Sequence, residues 1–315
     1  MLGVWLTVRG EFTAGMIMAF QGFLASFTAP AAQLITSGQT IQEMRTQTEQ
    51  VEDVLSYRTD PNWRDDPVAE GAEYDKLSGA VELRHVTFGY SRLAEPLIED
   101  FSLSLKPGSR VALVGASGCG KSTIAKLVSG LYEPWSGEIL FDGRPIKEID
   151  RSVFTGSLAV VDQDIILFED TVSANIKMWD SSIEDFEVIL AARDAEIHET
   201  IMQRDGGYNA RVSEGGRDFS GGERQRLEIA RVLSQDPTIV ILDEATSALD
   251  ARTEYNVVQH IRERGVTCIV VAHRLSTIRD CDEIIVLDHG RAVERGTHDE
   301  LYAKGGLYAE LVTNE

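Results

Sequence analysis

Apolar and polar positions along the 315-residue chain fall into three regimes. From Phe12 to Gln42 there is no Asp, Glu, Lys or Arg. Within that stretch MIMAFQGFLASFTAPAAQLIT, residues 16–36, is long enough to cross a bilayer as one helix, which takes about 20 residues. Gln21, Ser26, Thr28, Gln33 and Thr36 dilute the apolar pattern and Pro30 interrupts it. Such residues are tolerated where a membrane helix packs on other helices or lines a water-filled path. The competing reading is a buried amphipathic helix of a soluble domain. A cleaved signal peptide fits less well, because the basic n-region is missing and Arg9 and Glu11 stand where the apolar core should begin. Residues 1–8 read as the end of a preceding apolar segment, which makes the start of the chain the expected tail of a larger membrane domain.

In the second regime Ile41, Met44, Thr48, Val51 and Leu55 recur at spacings of three and four between charged and amide side chains. The pattern predicts that the helix continues into water as an amphipathic rod and ends near Tyr57. Residues 58–80 are rich in Asp, Pro and Gly without a period, which is linker composition. A separate domain is expected from Val81 to residue 315. There the pattern changes to short β-branched runs: VALV (111–114), TIVILDEA (238–245), VTCIVVAH (266–273) and DEIIVLDHG (282–290). Runs that are apolar throughout, with helical patterns between them, predict an α/β fold with a parallel sheet buried on both faces. In such sheets a ligand sits beyond the carboxyl ends of the strands.

Candidate chemistry collects at those ends. VALVGASGCGKST, residues 111–123, meets the pattern G-x-x-x-x-G-K-[ST] with Gly115, Gly120, Lys121 and Ser122, directly after a strand. The loop of Gly115, Ala116, Ser117, Gly118, Cys119 and Gly120, running into Lys121, Ser122 and Thr123, can surround a triphosphate with backbone N–H groups. It can do so only if no side chain blocks the approach, hence its three glycines. Lys121 would neutralise phosphate oxygens, and Ser122 would offer its hydroxyl to Mg²⁺, a cation that takes few protein ligands. Asp243 and Glu244 end the second run, Asp243 to hold the metal shell and Glu244 to accept a proton from attacking water. The alternative is an acidic pair that starts a turn and caps a helix. His273, at the end of the third run, could donate to the γ-phosphate.

Charge and cysteine usage narrow the classes. A net charge of −21 argues against nucleic acid as a partner, since counterion release needs a basic surface. Cys119, Cys268 and Cys281 are odd in number and lack metal-ligand spacing, which indicates neither a disulfide framework nor a zinc site.

FSGGERQRLEIAR (219–231), together with GASGCGKST, VVDQDIILF and VVAHRLST, resembles the nucleotide-binding domain of ATP-binding cassette transporters from about residue 81 to the end. The resemblance implies a P-loop NTPase fold with a helical subdomain, ATP and Mg²⁺ as ligands, and a second cassette as partner. It further implies that Tyr90 stacks on adenine, that Lys121 acts on phosphate, and that Gln163 senses metal and water. Ser220, Gly221 and Gly222 would close the nucleotide site of the opposite protomer, Asp250 would link the two sites, and Glu244 and His273 would drive hydrolysis. The segment departs from the usual Leu-Ser-Gly-Gly-Gln at its ends, with Phe219 and Glu223. Ser220 and Glu223 also form an S-x-x-E capping box, a local role compatible with the first. With the apolar span, the chain resembles the last part of an exporter whose membrane and ATPase domains share one polypeptide, set in the plasma membrane with the cassette on the cytoplasmic side. Bacterial peptide or bacteriocin exporters are the nearest kind, so a peptide is the expected cargo. Two rivals differ in class. A soluble cassette ATPase of DNA maintenance predicts a basic surface or coiled-coil arms, and a non-catalytic regulatory cassette predicts loss of Glu244 or His273.

Overall fold

The computed structural model describes residues 5–6, 8–10, 13–57, 75–162, 165–271 and 274–313. The chain divides into two compact units, Met1–Pro61 and Asn62–Glu315.

In the first unit one unbroken helix runs over Ala14–Ser56, 43 residues, with Pro30 inside it. Its length is about 64 Å at about 1.5 Å per residue. Thr13 caps the start, its hydroxyl oxygen accepting the Met16 N–H at 3.2 Å. The expected span and the expected rod are thus a single element. Its polar residues cost less than their number suggests, because Thr28 and Thr36 donate their hydroxyls back to the carbonyls of Leu24 and Ala32 at 2.6 and 3.1 Å. No residue of the helix is buried, and Met18, Phe20, Phe23, Phe27, Leu34 and Ile35 all stand exposed. It is the one described helix long and apolar enough to cross a membrane.

The second unit holds two sheets. Strands β1 (Val81–Phe88), β2 (Ile98–Leu105), β4 (Ser136–Phe141) and β5 (Arg144–Pro145) form an antiparallel sheet in the order β2-β1-β4-β5. A six-stranded sheet runs in the order β10-β9-β3-β8-β7-β6. It consists of β3 (Arg110–Gly115), β6 (Leu158–Val161), β7 (Ile239–Asp243), β8 (Thr267–Val271), β9 (Glu283–Asp288) and β10 (Arg291–Gly296). All its pairings are parallel except the β9–β10 hairpin. The parallel core and its four central strands were legible in the apolar runs; the antiparallel sheet was not, and irregular register breaks its alternation near His85 and Asp100, both at positive φ.

Burial explains the runs. Along β3, Val111 and Leu113 face one core with Ile241, Ile269 and Ile285, while Ala112 and Val114 face the other with Val240, Val270 and Ile284. With both faces covered, every position must be apolar. Helices Val172–Lys177, Asp185–Asp194, His198–Met202 and Gly221–Ser234 lie between β6 and β7 in sequence and form the expected helical subdomain.

The folded body begins before Val81. Leu77 is 2% exposed and its N–H donates to Ser157 Oγ at 2.9 Å. Asp142 accepts from the N–H and hydroxyl of Ser78 and from the N–H of Ala80. Thr267 donates its hydroxyl to the Gly79 carbonyl at 2.7 Å. These contacts come from residues 62 or more positions away, which linker-like composition conceals. Leu77→Ala should therefore destabilise the cassette by about 2–5 kcal/mol, the usual cost of truncating a buried leucine. Urea unfolding of the chain checks this; an unchanged midpoint would place residues 76–80 outside the cooperative unit.

Candidate active site

The phosphate loop leaves β3 at Gly115, and the helix Lys121–Val128 follows Gly120. Two glycines are required here by space as well as by backbone. A Cβ on Gly115 (φ +153°) would lie 2.3 Å from the Leu287 carbonyl oxygen, and one on Gly120 (φ +106°) would lie 2.3 Å from Ile98 Cδ1. Gly120 gives the helix no side-chain cap, so the first N–H groups keep their donor capacity for a ligand. Lys121 is 5% exposed and folds over the loop, its ammonium donating to the carbonyls of Gly115 and Ala116 at 2.8 and 3.1 Å. Cys119 donates its N–H to the Ala116 carbonyl at 3.3 Å and buries its thiol, 6% exposed, beneath the loop. The fold itself therefore shields this thiol, which the sequence placed within reach of ligand.

Strand order brings the acidic groups to the same edge. β8 alone separates β3 from β7, and β7 ends in Asp243. Ser122 donates its hydroxyl to Asp243 Oδ1 at 3.0 Å, joining residues 121 positions apart. Burial raises the Asp243 pKa above the usual carboxylate range; the Ser122 hydrogen bond and Lys126 oppose that, while the charges of Asp162 and Glu244 add to it. The Ser122 hydroxyl and the Asp243 carboxylate thus stand side by side at the strand end. Glu244 turns the chain out of the strand at φ +52°, a left-handed conformation uncommon for a residue with a Cβ, and its N–H donates to the Val271 carbonyl at 2.9 Å. Such strain concentrates at functional positions.

Tyr90 follows β1. Its ring is 58% exposed, meets Phe88 and Tyr132 edge-on at 5.4 Å each, and its hydroxyl lies 3.0 Å from Thr123 Oγ1. An open aromatic face is thereby held against the helix that carries Lys121 and Ser122. Gln163 and His273 lie outside the described residues.

The signature segment stands apart. Ser220 caps Gly221–Ser234 with both halves of a capping box: its N–H donates to Glu223 Oε2 at 2.7 Å and its Oγ accepts the Glu223 N–H at 3.3 Å. A Cβ on Gly222 would lie 3.0 Å from the Ala248 carbonyl oxygen, so the helix start packs on the loop after β7. Among the described residues, no contact joins Ser220, Gly221 or Gly222 to the phosphate loop. Asp250 caps Ala251–Glu263, accepting from Arg252 N–H, Thr253 N–H and the Thr253 hydroxyl.

Sequence reasoning missed Gln225. It is 5% exposed, donates to Ser247 Oγ at 3.0 Å and accepts the Ala248 N–H at 2.9 Å, tying the signature helix to the loop after Glu244. It also missed Glu254, 1% exposed, which accepts from the hydroxyls of Thr246 and Thr277 and from Arg274. The available signal was positional: Gln225 and Glu254 are polar residues one turn before Ile229 and Val258, on the buried stripes of their helices.

Comparison with known proteins agrees with this geometry. Residues 98–247 match the family described as ABC transporter. The chain is 37% identical over 314 residues to the beta-(1→2)glucan export ATP-binding/permease protein of Agrobacterium vitis, covering 99% of this chain and 53% of that one. It is 46% identical over 246 residues to the human mitochondrial potassium channel ATP-binding subunit, covering 76% of this chain and 33% of that one. A solved structure, a bacterial Atm1-family ABC exporter with ATP bound, superposes with a TM-score of 0.81 at 37% identity, over 96% of this chain and 52% of that chain. The chain thus spans between a third and about half of the length of these proteins. On these matches, residues 98–247 are an ATPase domain of the ABC transporter family, set in a cassette of P-loop NTPase fold.

Proposed function

We propose that the chain is the ATP-binding and ATP-hydrolysing part of a membrane exporter, in which two cassettes close on two ATP molecules and hydrolysis reopens them. The observation that carries this is the meeting of the Lys121 loop, the Ser122 to Asp243 hydrogen bond and Glu244 at one sheet edge. The loop amides and Lys121 bind and orient the triphosphate, and Tyr90 offers its ring to the adenine. Ser122 and Asp243, two hard oxygen donors held together at the strand end, fit Mg²⁺, which when bound would neutralise phosphate charge. Glu244 accepts a proton from attacking water. His273 and Gln163 take their roles from the resemblance alone. Ser220, Gly221 and Gly222, having no contact with their own phosphate loop among the described residues, complete the partner's site. The apolar half of the helix Ala14–Ser56, none of whose residues is buried, spans the plasma membrane with the cassette on its cytoplasmic side, and a peptide is the cargo class that the sequence resemblance supports.

Positioned acid–base groups contribute about 10²–10⁴ in rate. Glu244→Gln should slow hydrolysis by about that factor while preserving ATP affinity, and should accumulate an ATP-bound dimer on size-exclusion chromatography with Mg·ATP. Near-parent turnover in single-turnover assays would remove Glu244 from the chemistry. Lys121→Ala should lose nucleotide binding itself and stay monomeric under the same conditions. Ser220→Arg should retain ATP binding by fluorescence titration yet lose turnover and dimer formation; a specific activity independent of protein dilution would sink the two-cassette reading.

A further inference from the structure

One of the two departures in the signature segment, Phe219, carries a guanidinium on its ring. Arg204 places its guanidinium carbon 3.5 Å from the centroid of the Phe219 ring. The same group donates to Asp218 Oδ2 at 2.5 Å and to the Asp218 carbonyl at 2.7 Å. Phe219 is 3% exposed, so the cation covers an aromatic face that is otherwise sealed in the core. Asp218 in turn accepts the N–H and hydroxyl of Ser213 at 3.1 and 2.5 Å, which closes the loop 213–219 on itself. Burial opposes ionisation of Asp218, yet the hydrogen bonds from Ser213 and Arg204 outweigh it and lower its pKa to about 2. At Glu223 burial likewise opposes the charge, and the bonds from Ser220, then Arg226 and Arg204, favour it. Arg226 is itself held by the carbonyls of Glu196 and Gly222 at 2.5 and 3.4 Å.

We propose that Arg204 is a positioning residue for the ATPase reaction: stacked on Phe219 and paired with Asp218, it fixes the backbone that presents Ser220, Gly221 and Gly222 to the partner's nucleotide. The inference rests on the two-cassette reading above. A leucine at 219 would give the guanidinium no π face. Phe219 and Arg204 therefore act together, and Arg204 should matter most while the aromatic ring is present.

The test is a mutant cycle on the full chain in detergent, read by ATPase kinetics, by TNP-ATP titration and, in a Glu244→Gln background, by Mg·ATP-driven dimerisation. Arg204→Ala should lower kcat about tenfold or more and weaken dimerisation, while leaving TNP-ATP affinity within about twofold, because the residue acts on the partner's site and not its own. Arg204→Lys, which keeps the charge but not the planar fork, should fall between the two. In a Phe219→Leu background, Arg204→Ala should lower kcat by a smaller factor than in the parent, since residues in contact are non-additive. An equal loss in both backgrounds, or a loss matched by the unfolded fraction in a thermal melt, overturns the inference. A parent that turns over ATP and dimerises, with an Arg204→Ala variant equal to it, overturns only the role of Arg204. A parent that does neither overturns the two-cassette reading and this inference with it.

Discussion

A parallel sheet covered on both faces leaves its strand ends as the only places where polar groups can meet, and the architecture of the cassette follows from that constraint. Val111, Leu113, Ile241 and Ile269 fill one core while Ala112, Val114, Val240 and Val270 fill the other, so no side chain along these strands is available for chemistry. Unpaired charge in such a core costs several kcal/mol. Chemistry is therefore displaced to Gly115–Gly120, where β3 stops, and to Asp243 and Glu244, where β7 stops. The order β3-β8-β7 sets their separation, and the Ser122 to Asp243 bond closes the gap.

The same constraint decides what could be read in the sequence. The four central strands and the phosphate loop were legible because each is written in consecutive residues, as an apolar run followed by glycines and a lysine. The capping box of Ser220 and Glu223 was legible for the same reason, and the structure contains it. The long helix was legible as an apolar span that continues into an amphipathic rod ending near Tyr57, and it runs as one element over Ala14–Ser56.

What escaped depends on partners far away in sequence. Leu77 looks like linker until Ser157 and Thr267 are placed around residues 77–80. Gln225 looks like one more polar residue in GERQR until the loop 244–249 is laid across it. Cys119 reads as one residue of a ligand loop, and the fold turns its thiol inward under Gly115. Arg204 gives no signal alone; its meaning comes from Phe219, fifteen positions later, and from the loop that brings the two side chains face to face.

Glu244 shows how such a site behaves under selection for stability. Its left-handed backbone is one that glycine adopts without strain and asparagine tolerates better than glutamate, so the folded state gains when either replaces it. A thermal screen of random variants, blind to turnover, would enrich Gly or Asn at this position and discard the carboxylate. Sequences drifting without constraint at this position would move the same way, so the glutamate at position 244 stands against the preference of its own backbone.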